Sequence, residues 1–214
     1  VGAIIDAMKR IVALISGRGS NLRAIVEACE RERWSASIVA VISDRPHAGG
    51  CEWARSQGLR VEVLPRSQFP DRAAFDRALS DCIVACQPDV VVLAGFMRIL
   101  DPALVERFAG RILNIHPSLL PAFPGLHTHR RALEAGVRLH GATVHYVVAE
   151  LDAGPIIAQA ALAVRDDEDE SALAARVLAL EHRLYPMALR WNLEGRLRCE
   201  GQRVLLDRAT ADEG

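Results

Sequence analysis

The stretch Asn114-Ile115-His116-Pro117-Ser118-Leu119-Leu120-Pro121 concentrates side chains that can do chemistry, and Asp152 adds a carboxylate further along. An amide, an imidazole and a carboxylate without an obvious nucleophile are parts for moving a proton and stabilising an oxyanion, not for building a covalent intermediate. Asn114 and His116 stand two apart, so in an extended chain their side chains point the same way. Pro117 biases His116 toward that extended conformation. Taken singly, these residues have plainer roles. Asn114 can cap a turn, His116 can pack against Pro117, and Asp152 can make an Asx-type turn into Gly154. Asp152 gains a chemical role only if the fold brings its loop over His116.

A second motif, Gly17-Arg18-Gly19-Ser20-Asn21, follows an apolar run and precedes a helical one. Glycines let the backbone turn sharply, and amides at a helix start can hold a phosphate. The motif lacks the Gly-Lys-Ser/Thr of a P-loop, and Leu22 stands where a dinucleotide fingerprint needs glycine. A tight turn with an ordinary helix cap is the competing reading. Arg72 can add positive charge to the same phosphate or stay a solvated surface charge. Together the two motifs fit direct transfer of a small acyl group to an amine on a phosphorylated substrate. No G-x-S-x-G elbow is present, and Ser118 reads as a turn or hydrogen-bonding residue. His127-Thr128-His129 lacks an acid or cysteine at ligand spacing, and Arg130 and Arg131 disfavour a cation, so no metal is expected. His145 either faces the cavity or is a satisfied core histidine. Phe96, Met97, Ile99 and Leu100 around Arg98 suit an apolar slot for a flat heterocycle, or core packing.

The elements that must position these groups follow from the hydrophobic pattern. Apolar runs at residues 11–15, 38–42, 61–64, 90–94 and 112–115 read as buried strands. Helical segments at 22–31, 50–57, 72–86 and 102–108 separate them, with Ser20 or Asn21 as the first cap. This alternation predicts an α/β fold with a mostly parallel, Rossmann-like sheet flanked by helices. Beyond Pro121 the pattern changes. A short helix at 130–135, strands at 143–148 and 156–164, and a long last helix at 171–191 are expected. That helix has Ser171 as its cap and an apolar face of Leu173, Val177, Leu180, Leu184 and Leu189. The tail holds a short hairpin at 197–206 around Gly201. The expected organisation is one domain over 11–196, with a phosphate-binding parallel half (11–116), a half that carries the catalytic loop (117–196), and a tail (197–214).

At 214 residues the chain can bury a sizeable core. Its formal net charge of -1 gives no bulk attraction for nucleic acid or an anionic membrane. No run approaches the ~20 apolar residues of a membrane-spanning helix. The five cysteines are odd in number and scattered, which argues against a disulfide framework and for a reducing compartment. Val1-Gly2-Ala3 reads as a processing remnant, residues 1–10 lack a signal-peptide core, and a cytoplasmic location is expected. A monomer and a homodimer both remain open.

In ordered series, the chain resembles the phosphoribosylglycinamide formyltransferases, a folate-dependent formyltransferase family of purine biosynthesis. The resemblance spans residues 11–196. It is carried by Ile15-Ser16-Gly17-Arg18-Gly19-Ser20-Asn21, by residues 90–100 (VVVLAGFMRIL), 113–121 (LNIHPSLLP) and 124–130 (PGLHTHR), and by Leu151-Asp152-Ala153-Gly154-Pro155-Ile156. It implies attack of the glycinamide ribonucleotide amine on the formyl carbon of 10-formyltetrahydrofolate, the cosubstrate. In that family the residues matching Asn114 and His116 stabilise the oxyanion, and the match to Asp152 orients the histidine and water and assists proton transfer. The matches to Gly19, Ser20, Asn21 and Arg72 hold the ribose phosphate, and the match to Glu181 contacts the sugar side. The pterin and the folate side of the site lie near Arg98, Ile99, Leu100, Val147 and Leu151, held largely by backbone groups and apolar walls. From the residues themselves, Ser118, His127 and His145 are candidate supporting residues of the site. Ala122-Phe123 stands where many relatives carry Lys-Tyr, and Leu178 replaces a polar residue of some relatives.

Three rivals remain. Formyltetrahydrofolate deformylase shares the loop and trio but uses water, and usually adds a domain before the first strand. Methionyl-tRNA formyltransferase normally carries a longer, basic C-terminal part. A non-catalytic phosphate-binding module would need the glycine loop but not Asn114, His116 and Asp152.

Overall fold

The structure is a computed structural model that describes residues 8–207. Val1-Gly2-Ala3 and the end of the tail lie outside them. The chain divides into two compact units between Leu104 and Val105.

In the first unit, β1 (Lys9–Ile15), β2 (Ala36–Ser43), β3 (Val61–Val63) and β4 (Val90–Leu93) lie in the order β3-β2-β1-β4. Every pairing among them is parallel. Ile11 to Ile15 are fully buried, as expected for an inner strand covered on both faces. The crossovers are α1 (Ser20–Arg31), α2 (Gly49–Ser56) and α3 (Arg72–Ala85). Leu22, Ile25 and Val26 of α1 recur at three- and four-residue spacing and are buried. The start of α1 differs from the sequence reading. Its cap is Gly19 in the left-handed region, φ +72°, and no side chain caps it. Ser20 is already the first helical residue, because glycine makes the turn one residue earlier.

The second unit follows α4 (Pro102–Arg107) and contains β5 (Ile112–His116), α5 (Thr128–Glu134), β6 (Leu139–Tyr146), β7 (Ile156–Ala163), α6 (Glu170–Leu193), β8 (Leu197–Glu200) and β9 (Arg203–Leu206). The strand order is β5-β6-β7-β9-β8. β5 with β6, β6 with β7 and β8 with β9 are antiparallel, while β7 and β9 are parallel. The α/β class, the C-terminal antiparallel strands and the long last helix are therefore those read from the sequence. β6 begins at Leu139 rather than 143 and stops at Tyr146, because Leu139 to His145 have partners on β7. The expected tail hairpin forms, and Ile156 pairs with Arg203, so the hairpin extends this unit's sheet.

Two details of α6 also differ from expectation. Asp169, not Ser171, is the cap, accepting the Ala172 N–H at 2.8 Å. Leu180 is only half-buried, and Glu181 instead joins Leu173, Val177, Leu184, Tyr185 and Leu189 on the covered face. Apolar periodicity cannot announce a buried carboxylate. The Tyr185 hydroxyl donates to the Leu113 carbonyl at 2.8 Å and so ties α6 to β5.

Gly154 lets the loop after β6 close against the strand. A Cβ there would stand 1.7 Å from the Tyr146 carbonyl oxygen. Gly154→Ala is expected to lose on the order of 3 kcal/mol by urea denaturation, from forced movement of this backbone. A loss below about 0.5 kcal/mol would show that the loop yields freely.

Candidate active site

Strand register assembles the site in the second unit. On β5 and β6, Asn114 faces His145 and His116 faces Thr143. Directly opposed residues of an antiparallel pair share a face. The Asn114 amide Nδ2 lies 3.1 Å from His145 Nε2, and His145 Nδ1 lies 2.9 Å from the Tyr146 carbonyl oxygen. A carbonyl only accepts, so Nδ1 carries the proton and Nε2 accepts from Asn114. This leaves the second Asn114 amide hydrogen for a ligand. Burial pushes the His145 pKa below its ordinary value, in keeping with a neutral ring.

Asp152 arrives from the loop after β6. Its backbone is in the left-handed region, φ +52°, which aspartate tolerates better than most residues. Its carboxylate is 8% exposed and lies 3.4 Å from His116 Nδ1 and 3.8 Å from His145 Nε2. It also accepts the Gly125 N–H at 2.8 Å, a partner 27 residues away. On the other side of the ring, His116 Nε2 lies 3.0 Å from the Phe123 carbonyl oxygen. Nε2 thus faces a carbonyl oxygen, and Nδ1 faces the carboxylate that orients the ring.

The loop between β5 and α5 is held by groups that sequence patterns did not single out. Thr143 Oγ1 donates to the Ser118 carbonyl at 2.7 Å and accepts the Leu120 N–H at 3.0 Å. Gln159 Nε2 donates to the Leu120 carbonyl at 2.8 Å. Ser118 is fully buried and donates to the Ala122 carbonyl at 2.6 Å, a turn-building role. His127 caps α5 with φ +58°. His129 does not pair with it. Its Nδ1 meets His140 Nε2 at 3.2 Å, with the rings edge to face. The pKa of His140 falls to about 4 through burial and the neighbouring His129 and His116. Among the described residues, no three His, Cys, Asp or Glu side chains converge to hold a metal ion.

The remaining candidates divide between the units. In the first, Gly19 makes the turn of the glycine loop, while Ser20 and Asn21 open α1. Arg72 is exposed at the start of α3, where it reaches Asp76 at 3.2 Å and the Ile99 carbonyl at 3.4 Å. Ile99 and Met97 are exposed and Leu100 is buried. The Arg98 guanidinium binds Asp44 at 2.7 Å and lies over the Phe75 ring. In the second unit Leu151 is exposed, Val147 half-buried and Glu181 buried.

Residues 9–189 match the family model described as formyl transferase. The chain belongs to the formyl transferase family. It is 50% identical over 197 residues to the phosphoribosylglycinamide formyltransferase of Escherichia coli (strain K12), covering 92% of this chain and 93% of that protein. The crystal structure of glycinamide ribonucleotide transformylase 1 from Symbiobacterium toebii superposes with a TM-score of 0.92 at 47% identity, over 96% of this chain and 98% of that one. A formyltetrahydrofolate deformylase from Pseudomonas syringae has the same fold, with a TM-score of 0.88 at 30% identity, over 94% of this chain but 66% of that one. This formyltransferase family member therefore shares its architecture with both kinds of enzyme, and it covers the transferases nearly end to end. Among the described residues, no helix is long and apolar enough to cross a membrane.

The buried histidines set a pH response. Both His140 and His145 have folded pKa values below the ordinary 6.5. Their neutral rings contribute full stability above pH 6.5, and this is lost as pH falls toward about 4 for His140. Each can lose at most ~1.4 kcal/mol per pH unit in that window. Urea unfolding at pH 7.5 and 5.5 is expected to show a smaller pH-dependent loss in His140→Gln than in the unsubstituted protein. Equal losses would remove His140 from the account.

Proposed function

We propose that this formyltransferase catalyses direct transfer of the formyl group of 10-formyltetrahydrofolate to the amine of glycinamide ribonucleotide. The observation that carries the reading is the buried set of Asn114, His116, His145 and Asp152, an arrangement with two polarising donors and one base. Near-complete coverage of the Escherichia coli phosphoribosylglycinamide formyltransferase supports this acceptor over water. The folate cosubstrate supplies an activated formyl carbon. The chain's own groups do the rest. Asn114 offers its free amide hydrogen to the oxygen that becomes negative, with its orientation fixed by neutral His145. His116 offers Nε2–H to the same oxygen, in exchange for the Phe123 carbonyl. Asp152 faces Nδ1 of the ring and accepts the proton shed by the attacking amine, directly or through one water, and as the tetrahedral intermediate collapses the formyl C–N10 bond breaks and that proton passes to N10 of the departing tetrahydrofolate.

Binding roles follow from backbone and surface. The Gly19 turn with the Ser20 and Asn21 amides takes the ribose phosphate at the start of α1. Arg72 must leave Asp76 to join them, and Glu181 serves the sugar. Exposed Ile99 and Leu151 offer apolar surface to the pterin. Arg98, Leu100 and Val147 act through their backbones, since Leu100 is buried and the Arg98 side chain is engaged elsewhere. Donors of this kind fit a flat heteroaromatic ring rimmed by hydrogen-bonding edges. The reaction belongs in the cytoplasm.

The test is a formyl-transfer assay with 10-formyltetrahydrofolate and glycinamide ribonucleotide. Formyl-ribonucleotide is expected as product. Formate release without amine would establish the hydrolase, and phosphate-ligand binding without turnover the non-catalytic module. His116→Ala and Asp152→Asn are expected to lower kcat about 10²–10⁴-fold. Asn114→Ala should lower it about 10²–10³-fold. The KM for glycinamide ribonucleotide should stay within about threefold in all three, since none belongs to the phosphate loop. Retained kcat in folded variants would overturn the assigned roles.

A further inference from the structure

In the first unit, one buried carboxylate stands outside the proposed chemistry. Asp44, at the end of β2, is 5% exposed. Burying an unpaired carboxylate costs several kcal/mol, so its partners show what holds it there. The Ser16 hydroxyl donates to Asp44 Oδ1 at 2.6 Å, and Arg98 Nε donates to Oδ2 at 2.7 Å. Ser16 is the residue from which the glycine loop springs, and it is itself buried. Its oxygen accepts the Met97 N–H at 2.9 Å, while its own N–H donates to the Gly95 carbonyl at 3.1 Å. One carboxylate thus fixes both the root of the glycine loop and the turn after β4.

The same β2–α2 connection touches the glycine loop a second time. Gly50 N–H donates to the Gly17 carbonyl at 3.1 Å. A Cβ on Gly19 would stand 2.8 Å from Gly50 Cα. A Cβ on Gly50 would stand 2.7 Å from Ile15 Cδ1, 3.0 Å from Gly19 Cα and 3.1 Å from the Gly17 oxygen. Only a residue without a side chain permits this approach. Because α1 has no side-chain cap, the loop's shape must be imposed from outside.

We infer that Asp44 and Gly50 are positioning residues for both substrates: Asp44 braces the phosphate loop through Ser16 and the folate-side turn through Arg98 and Met97, and Gly50 clamps the loop from α2. This rests on the proposed function for the identity of the two ligands. The pairing also answers an electrostatic problem. A carboxylate beside an anion-binding loop would repel phosphate unless neutralised, and Arg98 supplies the neutralising charge. A brace acts on binding by preorganising the ligand's seat, not on the chemical step.

The test separates these two stages. Calorimetric titration with glycinamide ribonucleotide alone, and with 10-formyltetrahydrofolate alone, gives each affinity without requiring turnover. Asp44→Ala is expected to weaken both ligands about tenfold or more, with kcat at saturation within about threefold. Asp44→Asn keeps an acceptor for Ser16 but loses the charge on Arg98. It should restore most ribonucleotide affinity while folate affinity stays weak. Gly50→Ala should weaken only the ribonucleotide. Should Asp44→Ala fail to fold, Ser16→Ala removes the same link and is expected to weaken both ligands. Unchanged affinities in the folded variants, equal effects of Asp44→Asn and Asp44→Ala on both ligands, or losses confined to kcat would each overturn the brace. If the unsubstituted protein binds the ribonucleotide yet transfers no formyl group, the proposed function fails, and the ribonucleotide titrations still judge the brace.

Discussion

The contact of the Asp152 carboxylate with the buried His116 ring is the interaction on which the second unit's chemistry depends. A carboxylate and an imidazole, both largely out of water, compensate their lost hydration through one another and through their backbone partners. Their 3.4 Å separation also fixes direction. It leaves Nε2 pointing away from Asp152, toward the Phe123 carbonyl and toward any oxygen that replaces it. The Gly125 N–H on the same carboxylate draws the loop before α5 into the arrangement. One anion therefore orients the His116 ring and anchors a loop.

His145 completes the logic by staying neutral. Its protonated Nδ1 is committed to the Tyr146 carbonyl, so its Nε2 can only accept. That choice decides which way round the Asn114 amide sits, and hence whether a donor or an acceptor is offered to the substrate. Burial, which lowers the His145 pKa, is thus part of how Asn114 acquires its role. In the first unit a different carboxylate, Asp44, performs a purely architectural version of the same task. It orients Ser16 and Arg98 and so fixes the root of the glycine loop.

Much of the α/β pattern is legible because buried parallel strands leave apolar runs such as residues 11–15, and glycines such as Gly19 mark turns that other residues resist. The losses have specific causes. Ser20 looked like a cap because serine is a good one, yet the left-handed Gly19 places it inside the helix. Leu180 looked like core because leucine usually is, yet Glu181 occupies that face of α6. β6 began four residues earlier than its alternation suggested because pairing with β7, not side-chain pattern, sets its length. The groups that hold the Ser118 and Leu120 carbonyls could not be seen at all, since Thr143 and Gln159 lie 25 and 39 residues from them.

By itself, the sequence determined the residue types, their local spacing and the periodicities that separate strand from helix. Those are short-range properties, carried by the 2.0 and 3.6 repeats and by the backbone freedom of glycine and proline. Only tertiary structure decided that Asp152 reaches His116, that His145 faces Asn114, and that His129 pairs with His140 instead of with His127. Strand register and loop closure bring together groups tens of residues apart, and burial then sets their protonation. Neither quantity is written in any local stretch of the chain.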